Sequence, residues 1–284
     1  MPAPALAPAL YIVSTPIGHL KDITLRALET LAAADIIACE DTRHSRKLLD
    51  HYAIASKLTP YHEHNAAKAR PALLSALADG KAVALISDAG TPLISDPGFK
   101  LVVDAVEQGV SVVPIPGASA LLSALVAAGL PTDQFHFAGF LPPKAAARDR
   151  AISKLAGVEA TLIFYEAPQR IAPALLALSR GLGPDRPACL SREMTKRFEQ
   201  HVRGTLAELA EHCAAEPPKG ECVVLVSGAS QVALIIDDET VDQMLADAIA
   251  DIGVKRAADA VAQETGLNKR DLYARAVTLS KQNG

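Results

Sequence analysis

The chain has 284 residues, which is longer than a typical single domain, so its length predicts two domains. Half of the residues are hydrophobic, 4% are aromatic and tryptophan is absent, a composition that suits a helix-rich α/β protein. The formal net charge of −4 argues against a globally basic nucleic-acid-binding protein, although it permits local basic patches. No apolar run reaches the length of a membrane span, and the N-terminus lacks the features of a secretory signal, so we expect a soluble, cytoplasmic protein.

Metal and disulfide signals are weak in this sequence. The chain contains four cysteines, none in a C-x-x-C or zinc-type spacing: Cys39, Cys189, Cys213 and Cys222. We expect them to be reduced and mostly buried thiols. His62 and His64 follow a predicted strand at Lys57–Tyr61, but no third ligand lies nearby in the sequence, so no metal site is predicted.

Apolar runs alternate with amphipathic helical stretches, a pattern typical of β-α units around a mainly parallel sheet. The first predicted strand, Ala9–Ser14, leads into the turn T-P-I-G-H-L at Thr15–Leu20. This turn has neither the G-x-G-x-x-G of a dinucleotide site nor the G-K-S/T of a P-loop. The second strand, Asp35–Cys39, ends in E-D-T-R at 40–43, where the carboxylates either line a polar site or cap the following helix.

The chain is organised around the stretch Leu85–Gly98, L-I-S-D-A-G-T-P-L-I-S-D-P-G. A short buried strand, Val83–Ile86, breaks there into a loop rich in Gly, Pro, Ser and Asp. A second loop of this kind, Pro114–Ala120, separates the predicted strand Val110–Pro114 from a helix at Ala120–Ala128. Because ligands bind beyond the carboxyl ends of parallel strands, the two loops predict a binding site at one edge of the sheet.

The segment Gln134–Lys144 contains adjacent prolines and predicts the end of a first domain, 1–140, followed by a stiff connection. A second α/β domain, 141–236, is predicted from further apolar runs at Ala160–Tyr165, Pro187–Ser191 and Cys222–Ser227. Ligand pockets favour domain interfaces, so we expect the site in a cleft between these two domains.

Two stretches of this acidic protein are locally basic. Residues 144–154 hold four basic side chains and one acidic side chain, and form either a phosphate-facing patch or a solvated helix face. The tail, 237–284, is predicted to be helical, and Ala262, Gly266 and Leu272 fall at the spacing of a helix-turn-helix. Asn268 is expected to cap a helix that carries basic residues at Lys269, Arg270 and Arg275. The tail therefore either contacts nucleic acid or docks on another part of the protein.

Six motifs occur in this order: T-P-I-G-H-L-x-D-I-T-x-R-A-L, A-C-E-D-T-R, L-I-S-D-A-G-T-P-L-I-S-D-P-G, P-G-A-S-A, F-Y-E-A-P-Q-R and S-R-E-M-T-K. Together they resemble the tetrapyrrole methylase-like superfamily of methyltransferases. Members that methylate tetrapyrroles often carry G-x-G-x-G after the first strand and G-D-P in the middle loop. This chain instead has T-P-I-G and, at 90–92, G-T-P, which favours the branch of the superfamily that acts on RNA.

The resemblance implies two α/β domains with mainly parallel or mixed sheets, a cofactor cleft between them and a small helix-turn-helix-like tail. It implies that S-adenosyl-L-methionine binds in the cleft and donates its methyl group to a cytidine 2′-hydroxyl in the decoding region of 16S ribosomal RNA. The implied partners are ribosomal RNA or the small ribosomal subunit, and a second copy of the chain in a homodimer. Two rivals stay open: methylation of a tetrapyrrole or protein side chain, and a non-enzymatic, ligand-sensing nucleic-acid-binding protein.

The superfamily's functional residues carry over onto matching positions of this sequence. From the first domain the resemblance implies cofactor contacts by Pro16, Gly90, Thr91, Ile94, Ser95, Ser119 and Ala120, and from the second by Phe164, Tyr165 and Met194. A ribose hydroxyl needs a general base, and the candidate carboxylates are Asp88, Asp96, Glu40 and Glu166. Substrate phosphates are expected to bind Arg43, Arg170, Arg192 and Lys196 and the three basic residues of the tail, unless these side chains only pair with neighbouring acids.

Overall fold

The structure is a computed structural model that describes residues 6–229, 238–265 and 267–282. The chain divides into two units, Met1–Ser227 and Gly228–Gly284. Both α/β sheets belong to the first unit. None of the helices in the described ranges is long and apolar enough to cross a membrane.

The first sheet is parallel throughout, as the alternating sequence pattern predicts. Its strands are β1 (Ala9–Val13), β2 (Ile36–Cys39), β3 (Leu58–Pro60), β4 (Ala82–Ile86) and β5 (Val112–Ile115), in the order β3-β2-β4-β1-β5. The helices that alternate with them are α1 (Leu25–Ala33), α2 (Thr42–His51), α3 (Ala66–Ala78) and α4 (Phe99–Glu107). Every residue of β4 is buried, which explains its continuous apolar sequence.

The second sheet is mixed, and only its β6-β7 pair is parallel. Its strands are β6 (Phe135–Phe140), β7 (Thr161–Glu166), β8 (Pro187–Arg192), β9 (Gln200–Thr205) and β10 (Cys222–Val226), in the order β6-β7-β10-β8-β9. The helices of this half are α6 (Ala145–Ser153), α7 (Ile171–Leu182) and α8 (Leu206–Ala215). Strand β6 pairs with β7, so the second sheet begins six residues before the boundary predicted after residue 140.

Sequence reasoning did not predict β9 or α8. Strand β9 is a half-exposed edge strand with the polar sequence Q-H-V-R-G-T, so it has no apolar run to mark it. Helix α8 did have a local signal, because Thr205 and Glu208 form a capping box at its start.

Helix α5 (Ala120–Ala128) follows the first sheet in sequence but packs against the second. Its Leu121 and Leu125 are buried in one cluster with Ile163, Val223 and Leu225 from strands of the second sheet. The opposite face of that sheet is covered by α7 and α8. Helix α5 therefore joins the two sheets into one unit.

The C-terminal unit is helical, as predicted. It contains α9 (Asp238–Ile252), α10 (Val254–Thr265) and α11 (Lys269–Gln282), which pack around a small core that includes Val241, Leu245, Val261 and Leu272. The predicted cap is present, because the Asn268 side chain accepts a hydrogen bond of 2.9 Å from the backbone N–H of Arg270. The predicted turn glycine, Gly266, lies outside the described residues.

We predict that Leu125→Ala lowers the free energy of unfolding by about 2–5 kcal/mol, because it leaves a cavity between α5 and the second sheet. The matched control is Val126→Ala on the same helix, where the side chain is 78% exposed and little burial is lost. Urea unfolding of both variants measures the difference. Equal losses would contradict the packing of α5 described here.

Candidate functional site

A cavity of about 350 Å³ lies between the two sheets. The first half contributes the loop after β1, the loop after β4 and the start of α5, and the second half contributes the ends of β6 and β7, the start of β10 and Met194. Every segment of the first half lies at the carboxyl edge of the parallel sheet, where such folds bind ligands.

Most of the residues predicted to bind the cofactor line this one cavity. They are Gly90, Thr91, Ile94, Ser95, Ser119, Ala120, Tyr165 and Met194. They come from four separate segments of sequence, and the fold alone brings them together. Which of them contact a cofactor stays a prediction.

Two predicted cofactor residues do not line the cavity. The Phe164 side chain is fully buried in the core under α7 and α8, because successive residues of a strand point to opposite faces and its neighbour Tyr165 faces the cavity. The Phe164 side chain therefore does not line the cavity, and a contact of this residue with a cofactor stays a prediction. Pro16 is buried one residue before Ile17, and it is Ile17 that lines the cavity.

The loops after β1 and β4 are held together by their backbones. The N–H of Thr15 donates to the carbonyl of Gly90 at 2.9 Å, and the N–H of Gly90 donates to that of Thr15 at 3.0 Å. Gly90 has φ +79°, and a Cβ atom built there would lie 3.3 Å from Cγ2 of Ile17. Both the left-handed backbone conformation and the close approach to Ile17 favour glycine at this position.

Hydroxyl groups of both halves of the unit bond to the backbone at the start of α5. The Ser14 and Thr91 hydroxyls lie 3.0 Å apart, and the Thr91 hydroxyl donates to the carbonyl of Ala118 at 3.2 Å. The Tyr165 hydroxyl accepts from the N–H of Leu121 at 3.1 Å, which fixes the start of α5 against the second sheet. Ser119 is the N-cap residue of α5, so the structure supports the ordinary capping role of its side chain.

Three of the four candidate carboxylates lie near one another at the ends of β2 and β4. Burial raises the pKa of Asp96 to about 6, with Glu40 and Asp88 adding to the rise and a hydrogen bond from Ser87 opposing it. Burial, with the nearby Asp88, also raises the pKa of Glu40. Among these three, only Asp96 lines the cavity. Asp88 accepts a hydrogen bond of 3.1 Å from the N–H of Asp41.

Glu166 lies apart from that group, on the cavity wall formed by the second sheet. Its Oε1 accepts from the N–H of Ala167 at 3.0 Å and lies 3.2 Å from Nε of Arg170. Burial raises the pKa of Glu166, and these contacts oppose the rise. Arg170 also donates to the carbonyl of Leu141, so its guanidinium joins Glu166 to the segment after β6.

The other predicted phosphate ligands of the first unit also have partners within the protein. Arg43 is exposed, and its guanidinium lies 2.7 Å from the Asp41 carboxylate, which lowers the pKa of that carboxyl. Asp41 accepts from the N–H of Arg43 at 2.8 Å as the N-cap of α2, so the capping alternative holds for this residue. Arg192 donates to the Gln200 side chain at 2.8 Å and to the carbonyl of Lys219 at 3.0 Å.

Lys196 and two basic residues of the tail are likewise paired. The ammonium group of Lys196 lies 3.0 Å from Glu193 and 2.8 Å from Glu221. In the tail, Lys269 lies 2.6 Å from Asp259 and Arg275 lies 2.5 Å from Asp242. The side chain of Arg270 is exposed on α11. These pairs support the alternative of a structural network for most of the predicted cations.

Sequence reasoning missed several residues that line the cavity, among them Ile17, Phe140, Glu221, Cys222 and Val223. Ile17 lies inside a quoted motif, and Cys222 begins an apolar run, so both had a local signal. Phe140 and Glu221 had none, because their place at the cavity depends on the pairing of distant strands. Burial raises the pKa of the Cys222 thiol to about 12, so this thiol stays protonated at neutral pH.

All four cysteines are free and buried, as expected. The rings of His62 and His64 lie 6.2 Å apart. Across the described ranges, no three His, Cys, Asp or Glu side chains are grouped closely enough to hold a metal ion.

Comparisons with known proteins agree with the motifs. A family model described as Tetrapyrrole (Corrin/Porphyrin) Methylases matches residues 9–210, and one described as RsmI C-terminal HTH domain matches residues 236–280. A Mesorhizobium japonicum protein named Ribosomal RNA small subunit methyltransferase I is 53% identical over 285 residues, which cover 100% of this chain and 96% of that protein. A Halalkalibacterium halodurans protein of the same name is 45% identical over 274 residues, which cover 93% of each.

Solved structures share the fold at low sequence identity. Uroporphyrin-III-C-methyltransferase from Thermus thermophilus matches with a TM-score of 0.56 at 20% identity, over 77% of this chain and 93% of that one. The cobalt precorrin-4 methyltransferase CbiF matches with a TM-score of 0.59 at 18% identity, over 77% of this chain and 94% of that one. These matches confirm the predicted fold class of the first unit.

We predict that Asp96 titrates near pH 6, whereas an unfolded aspartate titrates near its ordinary value of 3.8. The folded state then binds more protons between these values, so this residue's contribution to stability falls as the pH rises from about 4 to 6. The stability of Asp96→Asn relative to wild type should therefore increase across that range and level off above it. Urea unfolding at several pH values, with a carboxyl NMR titration, measures both effects. A midpoint near 4 with a constant stability difference would contradict the burial of Asp96.

Proposed function

Because the chain belongs to the tetrapyrrole methylase family, we propose that it transfers a methyl group from S-adenosyl-L-methionine to small-subunit ribosomal RNA. The observation that carries this proposal is full-length similarity to proteins named Ribosomal RNA small subunit methyltransferase I, which extends through the C-terminal unit. The finer proposal is that the acceptor is the 2′-hydroxyl of a cytidine in the decoding region of 16S ribosomal RNA.

The lining of the cavity is chemically suited to the cofactor. Ile17, Met194 and Val223 supply apolar wall, and Gly90 leaves its backbone open to the cavity. The loop before α5 and the loop after β4 supply backbone and hydroxyl groups for the polar parts of the cofactor. When bound, S-adenosylmethionine would supply an activated methyl group on a sulfonium, with neutral S-adenosylhomocysteine as the leaving group.

The protein's main contribution to this reaction is to hold the ribose oxygen and the methyl carbon close together and in line. A ribose hydroxyl is a poor nucleophile at neutral pH, so a carboxylate that accepts its proton assists the transfer. Of the candidate carboxylates, Asp96 suits this role best, because it lines the cavity and burial raises its pKa to about 6. Glu166 also lines the cavity, but the N–H of Ala167 and the guanidinium of Arg170 already occupy one of its oxygens.

We predict that Gly90→Ala weakens the binding of S-adenosylhomocysteine at least about tenfold, because the methyl group narrows the cavity beside Ile17. Gly109→Ala is the matched control, since Gly109 has a similar φ of +72° with nothing within 4 Å of its Cβ position. Both variants should lose about 1–2 kcal/mol of stability from backbone strain. Calorimetry and thermal melting measure the two effects. Equal affinities in the two variants would contradict the cofactor assignment.

The proposed function is tested with labelled S-adenosylmethionine and three acceptors: small ribosomal subunits, 16S ribosomal RNA alone, and tetrapyrrole precursors. We expect the label in RNA, on the ribose of a cytidine. The phosphodiester bond that follows this nucleotide should then resist alkaline cleavage, because the 2′-oxygen is methylated. Transfer to tetrapyrroles alone would favour the tetrapyrrole methyltransferase. A protein that binds the cofactor without transfer to any acceptor would favour the ligand-sensing alternative.

We propose that the tail captures RNA and takes no part in the chemistry, because all cavity residues precede it. Lys269→Glu combined with Arg270→Glu should weaken binding to small subunits and flatten its salt dependence, since fewer phosphate contacts release counterions. Lys81→Glu combined with Lys100→Glu, at exposed positions of the first unit, makes the same change of net charge and is the control. Filter binding at several salt concentrations measures this. Equal salt slopes, with a lower melting temperature only in the tail variant, would indicate that the tail is a structural brace.

The predicted homodimer remains a proposal from the family resemblance, and light scattering of the full chain tests it. Cytoplasmic localisation follows as a further proposal, because the expected substrate is ribosomal RNA.

A further inference from the structure

The segment 193–199, between β8 and β9, brings Met194 into the cavity. Met194 is 7% exposed, and the residues on either side of it have left-handed backbone conformations. Glu193 has φ +50° and Thr195 has φ +63°. Residues with side chains adopt this region at a cost in free energy, so other contacts must hold the segment in place.

The first set of contacts surrounds Glu193. Its Oε1 accepts from the ammonium group of Lys196 at 3.0 Å and from the N–H of Glu221 at 3.1 Å. The backbones add bonds of 3.0 Å from the N–H of Glu193 to the carbonyl of Glu221 and from the N–H of Lys196 to the carbonyl of Glu193. Lys196 also bonds the Glu221 carboxylate at 2.8 Å, and Glu221 itself lines the cavity.

The second set of contacts surrounds Thr195 and reaches the first sheet. Its N–H donates to Glu199 at 2.5 Å, and its hydroxyl accepts from the N–H of His19 at 3.0 Å. A Cβ atom on Gly18 would lie 2.5 Å from Cγ of Lys196, so the Lys196 chain packs directly on the backbone of the loop after β1. That loop also places Ile17 in the cavity wall.

We propose that Lys196 is a positioning residue for the cofactor site, which holds Met194, Glu221 and the loop after β1 in their binding arrangement. This replaces its predicted role as a ligand of substrate phosphate, and it rests on the proposed function. The ammonium group already contacts two carboxylates, and a phosphate placed there would be repelled by Glu193 and Glu221. Burial lowers the pKa of Lys196, but its hydrogen bonds to Glu221 and Glu193 outweigh burial and raise it overall, so the side chain stays charged.

The test measures S-adenosylhomocysteine binding by calorimetry on the full chain without RNA. Lys196→Met removes the charge and keeps most of the packing on Gly18, and we expect affinity to fall about tenfold or more. Lys196→Arg should lose less affinity than Lys196→Met, because a guanidinium can bridge the same carboxylates. Lys219→Met, at an exposed lysine two residues before Glu221, is the matched control and should bind like wild type.

A second variant separates positioning from a general loss of fold. Glu221→Gln removes one of the two ion pairs at a side chain that is 72% exposed, so the fold should persist. Lys196→Met should then weaken binding less in the Glu221→Gln background than in wild type, because the two side chains act through one contact. Independent effects in this double-mutant cycle would contradict the positioning role.

Binding to small ribosomal subunits tests the alternative that Lys196 holds a substrate phosphate. If Lys196 holds a phosphate, Lys196→Met should leave S-adenosylhomocysteine affinity unchanged and flatten the salt dependence of small-subunit binding. That outcome would overturn the positioning role while the proposed function stands. A wild-type chain that binds no S-adenosylhomocysteine would overturn the proposed function and this inference together.

Discussion

The site depends on the apolar contact between α5 and the second sheet. Leu121 and Leu125 of α5 share a buried cluster with Ile163, Val223 and Leu225, so the last helix after the parallel sheet serves as a core element of the mixed sheet. This contact sets the separation of the two sheets and therefore the width of the cavity. The Tyr165 hydroxyl, bonded to the N–H of Leu121, places a polar link where the apolar contact meets the cavity.

Carboxylates line the cavity on both sides. On the side of the parallel sheet, Glu40 and Asp88 follow β2 and β4, and the loop after β4 brings Asp96 to the cavity. Burial and mutual repulsion make Asp96 a better proton acceptor than an ordinary aspartate. On the opposite side, Glu166 is paired with Arg170 and held in place. Burial thus raises the pKa of a carboxylate on both sides of the cavity, and the contact with Arg170 opposes that rise at Glu166.

Backbone strain is concentrated beside the same cavity. Within the described residues, five side-chain-bearing positions have positive φ, and four of them lie in the two loops that border it: Leu93, Ser95, Glu193 and Thr195. Strained conformations persist where surrounding contacts determine them, and they recur at ligand sites. In the segment 193–199 those contacts are visible as the Lys196 bridge and the Thr195 bond to His19. The strained backbone beside the cavity therefore costs folding free energy, which the surrounding contacts offset.

The sequence by itself determined the parallel sheet, the two loops at its carboxyl edge, the helical tail and the family, because apolar periodicity, glycine and proline positions and ordered motifs are local features. Of the ten cofactor-binding residues predicted from the sequence, eight line the cavity. Only the tertiary structure decided that α5 packs on the second sheet, that β6 belongs to that sheet, that Phe164 faces away, and that Lys196 meets Glu221. Those facts depend on strand pairing and on contacts between residues far apart in sequence, and no local pattern encodes them.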